Sequence, residues 1–402
     1  MKVLVLHNRY RRYGGEDAVA EAEMELLRAN GVEVWHMDAD NQVDGRVKLQ
    51  GGLALALHSH WSKTSYERVR AVCREFRPDV AHVHNFWLRL TPAVHAACFD
   101  EGVPTVQTLH NFRLFCVNAQ FQRNGHKCED CLGGSPWLGV ARRCYRGSFL
   151  ASAAVARMIS ANRVRGTWTR HVSAFIALSQ HSRKLFIAGG IPATRIHIKP
   201  NFVEDKGRGR TQPSASRRFI FVGRLSPEKG VHELLKGWAR SGVADKADLI
   251  IAGDGPERHR LEAEAARLGI GSRISFLGHQ PREAVSALLA EARAVVLPSL
   301  FHECFPRVLV EAMSAGRPII ASNVGALDEL VSEDIGVQFP AHDAPPLGAA
   351  IRRFHDDAAL VDRLGAGARA AYLARYTPAC NYSMLMRIYD AARGRQANEA
   401  VA

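Results

Sequence analysis

Short apolar runs alternate along this chain with stretches of helical period. Residues 3–6 (Val-Leu-Val-Leu) precede a loop carrying Gly14-Gly15, and residues 17–28 repeat their apolar positions at helical spacing until Gly31. A second apolar run starts at residue 32. Residues 68–76 again have helical period, and the segments 78–84, 104–109 and 174–178 each stop at a loop. Runs this short, apolar on both faces and separated by helices, predict strand–helix–strand units building a parallel sheet. After Lys199-Pro200-Asn201 the polar, basic residues 204–218 read as a linker. The pattern then restarts, with strands at 219–222, 249–252, 273–276, 295–298 and 319–321, a helix at 231–238 and a helix-like tail at 376–389. The expected fold is α/β, in two domains that each hold a parallel sheet, with no internal sequence repeat.

A chain of 402 residues, 47% hydrophobic and 23% charged, suits two globular domains of roughly 200 residues each. No apolar stretch approaches the ~20 residues that span a bilayer. Charges follow the first apolar run at once, unlike a secretory leader. The expected location is the cytoplasm, with the eight cysteines reduced unless they hold metal.

The formal charge of +13 is unevenly placed: residues 1–200 carry 27 Lys and Arg against 16 Asp and Glu, and the rest 26 against 24. No acid occurs between Cys131 and Val203, a stretch that includes Arg142, Arg143, Arg157, Arg163, Arg165 and Arg195. Such a stretch suits an anionic partner: a membrane face, a pyrophosphate-linked acceptor or nucleic acid. No aromatic-basic RNA motif or recognition-helix signature accompanies it, so no nucleic acid is expected. Residues 149–168 look like a helix with an apolar and an arginine face. Peripheral membrane contact there competes with a plainer reading, a helix packed on its sheet with solvated arginines.

Two strings carry candidate chemistry. In Phe221-Val-Gly-Arg224-Leu-Ser-Pro-Glu-Lys229-Gly230, a strand ends and a turn presents two cations before a helix. Arg offers a bidentate fork and Lys a point charge, a pair fit to neutralise a diphosphate. In the run 301–320, Glu303 and Glu311 are separated by seven residues and flank the opening of a helix between two strands. Glu303 then sits at the carboxyl edge of the sheet, where open α/β sheets bind ligands. Backbone N–H groups near Phe305, Pro306, Arg307 and Val308 would face an anion, less the one that proline lacks. Gly14 and Gly15 would let the backbone approach a ligand closely. His110 closes the strand at 106–109; alone, a strand-end histidine is more often structural.

Cys116, Cys128, Cys131 and Cys144 form a separate set, C-x11-C-x2-C-x12-C. The inner C-x2-C step is the usual knuckle for one tetrahedral ion, and four thiolates would close a structural zinc site that staples a loop. A reduced, unliganded set or a redox disulfide is the alternative. His82 and His84 share one face of a strand, which without a third ligand reads as packing.

These motifs together resemble family 4 of the retaining glycosyltransferases. The resemblance covers nearly the whole chain: Gly14-Gly15, His110, Ala177-Leu-Ser179, Ile198-Lys-Pro-Asn201, the Gly-Arg-Leu-x-x-x-Lys-Gly string at 223–230, and Glu303 with Glu311. The chain departs from the pattern at Asn111, usually Asp, and at Pro306, usually Gly. The resemblance implies the GT-B architecture: Rossmann-like domains at 1–200 and 201–375 facing a central cleft, with a terminal helix at 376–402 crossing back. It implies hexosyl transfer from a nucleotide sugar to a glycan or lipid-linked acceptor, as in surface polysaccharide synthesis at the inner membrane face. Glu303 and His110 would contact the sugar, Glu311 the ribose, and Arg224 and Lys229 the diphosphate, with no divalent metal required. Nucleotide-sugar epimerases share this architecture and are the alternative enzyme class; a basic nucleic-acid-binding protein is the non-enzymatic one.

Overall fold

A computed structural model describes residues 1–10, 13–40, 59–209 and 211–401; linker residue 210 and the last residue of the expected tail, 402, lie outside the described residues. The chain divides into two compact units. One comprises Met1–Arg123, Cys128–Pro200 and Asn381–Ala402, the other Asn124–Lys127 and Asn201–Cys380.

The first unit is built on β1 (Lys2–Arg9), β2 (Glu33–Asp40), β3 (Val80–Asn85) and β4 (Thr105–Leu109). The short β5 (Gln122–Arg123) and β6 (His126–Lys127) come next along the chain but stand outside its sheet, which β7 (Ala174–Ala177) and β8 (Ile196–Ile198) complete. Its sheet has the order β2-β1-β3-β4-β7-β8, and its ladders are parallel. Val3, Leu4, Val5 and Leu6 are at most 1% exposed, because helices cover both faces of the sheet. Burying each such side chain contributes about 1.5–3 kcal/mol. Helix ends follow local chemistry. Ser62 accepts from Ser65 N–H to start Lys63–Phe76, Ser148 accepts from Ala151 N–H to start Phe149–Arg165, and Gly166 ends the latter in the left-handed region.

The second unit repeats the design with β9 (Arg218–Val222), β10 (Asp248–Ala252), β11 (Ile274–Gly278), β12 (Ala294–Leu297), β13 (Ile319–Ser322) and β14 (Gly336–Phe339), ordered β11-β10-β9-β12-β13-β14 and parallel. Its core joins Phe219, Phe221, Leu234 and Trp238 to Leu347, Ile351 and Phe354. Helix Val231–Arg240 comes so close to Ala344–Asp356 that a Cβ on Gly237 would meet Leu347 Cγ at 2.7 Å.

In each sheet the chain reverses its direction of travel once: β2 lies on one side of β1 and β3 on the other, and β10 and β12 flank β9 in the same way. Loops leaving the carboxyl ends at these switch points diverge and leave a crevice, the usual ligand site of open α/β sheets.

Candidate active site

At the second switch point, the loop after β9 carries Arg224 and Lys229, and the loop after β12 carries Glu303. The two loops touch backbone to backbone. Leu300 N–H donates to the Glu228 carbonyl at 2.8 Å. Gly230 has φ +68°, and a Cβ there would lie 1.9 Å from the Pro298 carbonyl oxygen, so only glycine fits. A Cβ on Gly253, after β10, would likewise fall 1.8 Å from the Gly223 oxygen.

This contact brings Lys229 Nζ to 2.7 Å from Glu303 Oε1, and the Ser299 hydroxyl donates to the same oxygen. Glu303 is only 7% exposed. Lys229 also stands over the Phe301 ring, 5.2 Å from its centre. Arg224 is exposed. A buried carboxylate and its lysine thus sit together, with ammonium protons to spare for an anion.

The helix Arg307–Ser314 follows, with Pro306 as its N-cap. The sequence places the helix opening slightly earlier, at Phe305. Phe305 and Pro306 are instead buried, and the Phe305 ring packs against Tyr376 with centres 5.9 Å apart. Their side chains therefore support the helix from below. Arg307 Nε lies 3.0 Å from Glu311 Oε1, one turn on. Glu311 also lines a pocket of about 140 Å³ together with Lys206, Arg208, Arg282 and Ser286. Cations, a hydroxyl and a carboxylate in one recess suit a ligand that is both anionic and rich in hydroxyls.

In the first unit, Gly14 precedes helix Gly15–Ala29, and its N–H donates to Asp17 at 2.8 Å. A Cβ on Gly15 would meet nothing within 4 Å, so this glycine leaves open space. Asp17 is tied to His7 at 2.9 Å. Burial raises the Asp17 carboxyl, but His7 and the Gly14 and Tyr10 N–H groups outweigh it and hold it low. Asn111, where the family pattern has Asp, donates to Glu16 at 2.7 Å.

His110 is the outer member of a buried polar chain. Lys199 Nζ and Glu23 Oε2 are 2.6 Å apart, each side chain 1% exposed. Glu23 Oε1 lies 3.0 Å from His82 Nδ1 and 3.3 Å from His84 Nε2. His84 Nδ1 in turn lies 3.1 Å from His110 Nε2. Burial would raise Glu23, but Lys199 and His82 hold its carboxyl well down. The ionised Glu23 favours the tautomer with the proton on His84 Nε2, so that His84 Nδ1 can accept from His110 Nε2–H. His110 then keeps an unprotonated Nδ1, an acceptor for a hydroxyl. Burial and the adjoining His84 keep His110 neutral.

Glu23, His82 and His84 bring three metal-type donor atoms within 4.8 Å of one another, the third ligand that the sequence did not disclose. The Lys199 ammonium already supplies the cation. His82 is engaged on both nitrogens, by Tyr389 at 2.8 Å and Thr108 at 2.7 Å. The two histidines of the trio pack around the Glu23–Lys199 ion pair.

Two buried histidines, His84 of this network and His95 beside Gln107, make the protein acid-sensitive. Burial and His82 push His84 down to about 3, and burial pushes His95 down to about 4. In the unfolded chain a histidine takes its proton near 6.5. Between that pH and the folded values the unfolded state binds protons that the folded state refuses, so stability rises with pH through the window. Each histidine should cost about 2 kcal/mol at pH 5 relative to pH 7.5. Urea unfolding at the two pH values checks this; equal stabilities would mean that both rings charge inside the fold.

The four expected cysteines converge. All of them line one small cavity with Val117, Gly139 and Arg142. Burial first, then the other three sulfurs, push the Cys131 thiol up to about 11. The basic stretch forms the expected helix, and of the two readings of its apolar side the structure has the packed one. Helix Phe149–Arg165 turns Val155, Ala156, Met158 and Ile159 inward, leaving Phe149, Leu150 and Val164 exposed. Its arginines have local partners: Arg163 donates to the Gly134 carbonyl at 2.7 Å and Arg165 lies 4.9 Å from the Trp61 ring centre. Among the described residues, no helix is long and apolar enough to cross a membrane.

Comparison with known proteins places this geometry. Residues 3–201 match the family "Glycosyl transferase 4-like domain" and residues 204–371 match "Glycosyl transferases group 1". Glycogen synthase of Mycobacterium tuberculosis is 30% identical over 311 residues, 74% of this chain; the match spans 64% of that relative's length. The GDP-mannose-dependent alpha-mannosyltransferase of the same species is 29% identical over 349 residues, 80% of this chain and 85% of its own. Among solved structures, Anabaena Alr3699/HepE in complex with UDP superposes with a TM-score of 0.68 at 20% identity, covering 97% of this chain and 100% of that one. That likeness gives the fold, GT-B. With its two halves matched in turn by the two family descriptions, the chain belongs to the group 1 glycosyltransferases of GT-B fold.

Proposed function

We propose that this chain transfers a hexose from a nucleoside diphosphate sugar to a glycan or lipid-linked acceptor, with retention of anomeric configuration, in surface polysaccharide assembly. The observation that carries this reading is the buried Glu303 held by Lys229 and Ser299 at the switch point of the second sheet. Its relatives' names include a glycogen synthase and a mannosyltransferase, and Anabaena HepE was also solved with UDP-glucose. On this reading Glu303 accepts hydrogen bonds from the donor sugar, Glu311 from the ribose, and His110 Nδ1 from a sugar hydroxyl. Arg224 and the free protons of Lys229 take the diphosphate.

The acceptor hydroxyl attacks the anomeric carbon on the face from which the diphosphate departs. The bond from that carbon to the phosphate oxygen breaks as the new glycosidic bond forms, and the hydroxyl proton passes to the departing oxygen. Charge growing there is met by the two cations and the helix-opening N–H groups, so positive charge already on the chain serves the step. With most of its apolar side buried, helix Phe149–Arg165 presents its basic residues and the exposed Phe149, Leu150 and Val164 to an anionic surface.

A panel of UDP-, GDP- and ADP-sugars tests the proposal. A matching nucleoside diphosphate at a hundredfold excess over Kd should stabilise the protein by about 2.7 kcal/mol, seen as a thermal shift. The matching donor should be slowly hydrolysed, releasing sugar of the donor's own anomeric configuration by proton NMR. Release of the opposite anomer would refute retention, and interconversion of the bound sugar without release would make the chain an epimerase.

A further inference from the structure

We propose that Cys116, Cys128, Cys131 and Cys144 bind one zinc ion as a tetrahedral thiolate site that holds together the segment between β4 and helix Phe149–Arg165. Regular structure is scarce in this segment: β5, β6 and the four-residue helix Leu138–Ala141. A connection of this length without much secondary structure needs another source of order, and all four of its cysteines face one cavity.

The cavity measures about 10 Å³. That is near the lower limit for a single water-sized occupant. It suits one metal ion. The backbone around it is already fixed. Cys116 N–H donates to Phe112, Cys128 N–H to Phe121 and Cys144 N–H to Gly139, each at 2.9 Å. Leu132 N–H donates to Glu129 at 2.8 Å, a turn across the Cys-x-x-Cys step. Gly139 closes the floor: a Cβ there would strike Val117 Cγ2 at 2.7 Å. Cys116 and Cys131 are buried, Cys128 and Cys144 half-buried, and all four are free thiols. Arg142 lines the cavity and is paired with Asp130.

Among the described residues only Glu23, His82 and His84 already bring three donor atoms of metal-binding type within 4.8 Å of one another. The sulfurs must therefore draw in over the cavity to reach zinc–sulfur bonds of about 2.3 Å. Binding releases the four thiol protons, with no oxidant or reductant involved.

The test uses the full chain, purified without chelator. Elemental analysis should find about one zinc per chain, and thiol titration with a mercurial should release it as four cysteines react. Exchange into cobalt(II) should give the intense visible bands and near-ultraviolet charge transfer of a tetrahedral thiolate site. This spectrum needs no variant, so it stands even if Cys128→Ser or Cys131→Ser fails to fold. Where those variants do fold, they should lose the metal and melt at lower temperature. Zinc-free protein with four freely reactive thiols and a melting temperature indifferent to zinc would overturn the proposal. So would a disulfide within the set, iron in place of zinc, or bound cobalt without thiolate charge transfer.

Discussion

Glu303→Gln is expected to lower the turnover of sugar transfer by roughly tenfold to 150-fold, the worth of about 1.5–3 kcal/mol for one charged hydrogen bond. The substitution keeps the shape and lets the side-chain oxygen still accept from Ser299, so the fold should survive. It removes the negative charge that Lys229 meets at 2.7 Å. Lys229 is then left with undivided charge for a diphosphate, and affinity for the nucleoside diphosphate should hold or rise. Glu311→Gln should behave in the opposite way, weakening nucleotide binding as it loosens Arg307. Turnover by product assay and nucleotide affinity by calorimetry separate the two. If both variants keep full turnover per folded molecule, neither carboxylate touches the donor.

Glu23→Gln should destabilise the first unit by about 3–5 kcal/mol, because it strands the Lys199 ammonium without a counter-charge in the interior. Asn381 would remain, its side-chain oxygen 3.1 Å from Nζ, but a neutral amide does not replace a carboxylate. Adding Lys199→Met should recover much of the loss, since removing both charges abolishes the need for either. Thermal unfolding of the parent, single and double variants measures the coupling. A single variant as stable as the parent would show that Lys199 finds solvent or another partner. The Gln variant carries a second signature: without the carboxylate to fix His84, the tautomer of His110 should become mixed in nitrogen NMR.

The central strands were legible because their residues are buried on both faces, and a continuous apolar run as short as 3–6 or 294–297 fits little besides a strand covered on both sides. The Arg224–Lys229 string and the Glu303–Glu311 pair were legible for a different reason: each lies within one strand–loop–helix step, so spacing alone places it at a sheet edge. Partners far apart in the chain were not. Glu23 and Lys199 are 176 positions apart, and nothing in an amphipathic helix marks the one glutamate that turns inward. The same blindness left two readings open for the apolar side of residues 149–168, since a periodic pattern says that a face is covered but not by what. Arg317 is a third case. Its Gly-Arg-Pro-Ile-Ile setting reads as a helix stop, yet the side chain is fully buried and donates to the Ala292 and Thr211 carbonyls at 2.9 and 3.0 Å.

The glycine contacts around β9 bear on how donor preference can change over evolution or by design. Gly230 fits only against Pro298, and Gly253 only against Gly223. A third, Gly325, has φ +65° and would put a Cβ 2.9 Å from His302 Cα, just before Glu303. The loops that carry Arg224, Lys229 and Glu303 are therefore interlocked and must be inherited as a block. A loop grafted alone from a relative would arrive with backbone that its neighbours cannot accept. Variation is freer across the recess around Arg282 and Ser286, whose lining includes long, polar side chains such as Lys206, Arg208 and Arg282. Libraries aimed at a different nucleotide should be concentrated there, and chimaeras should exchange the second unit whole.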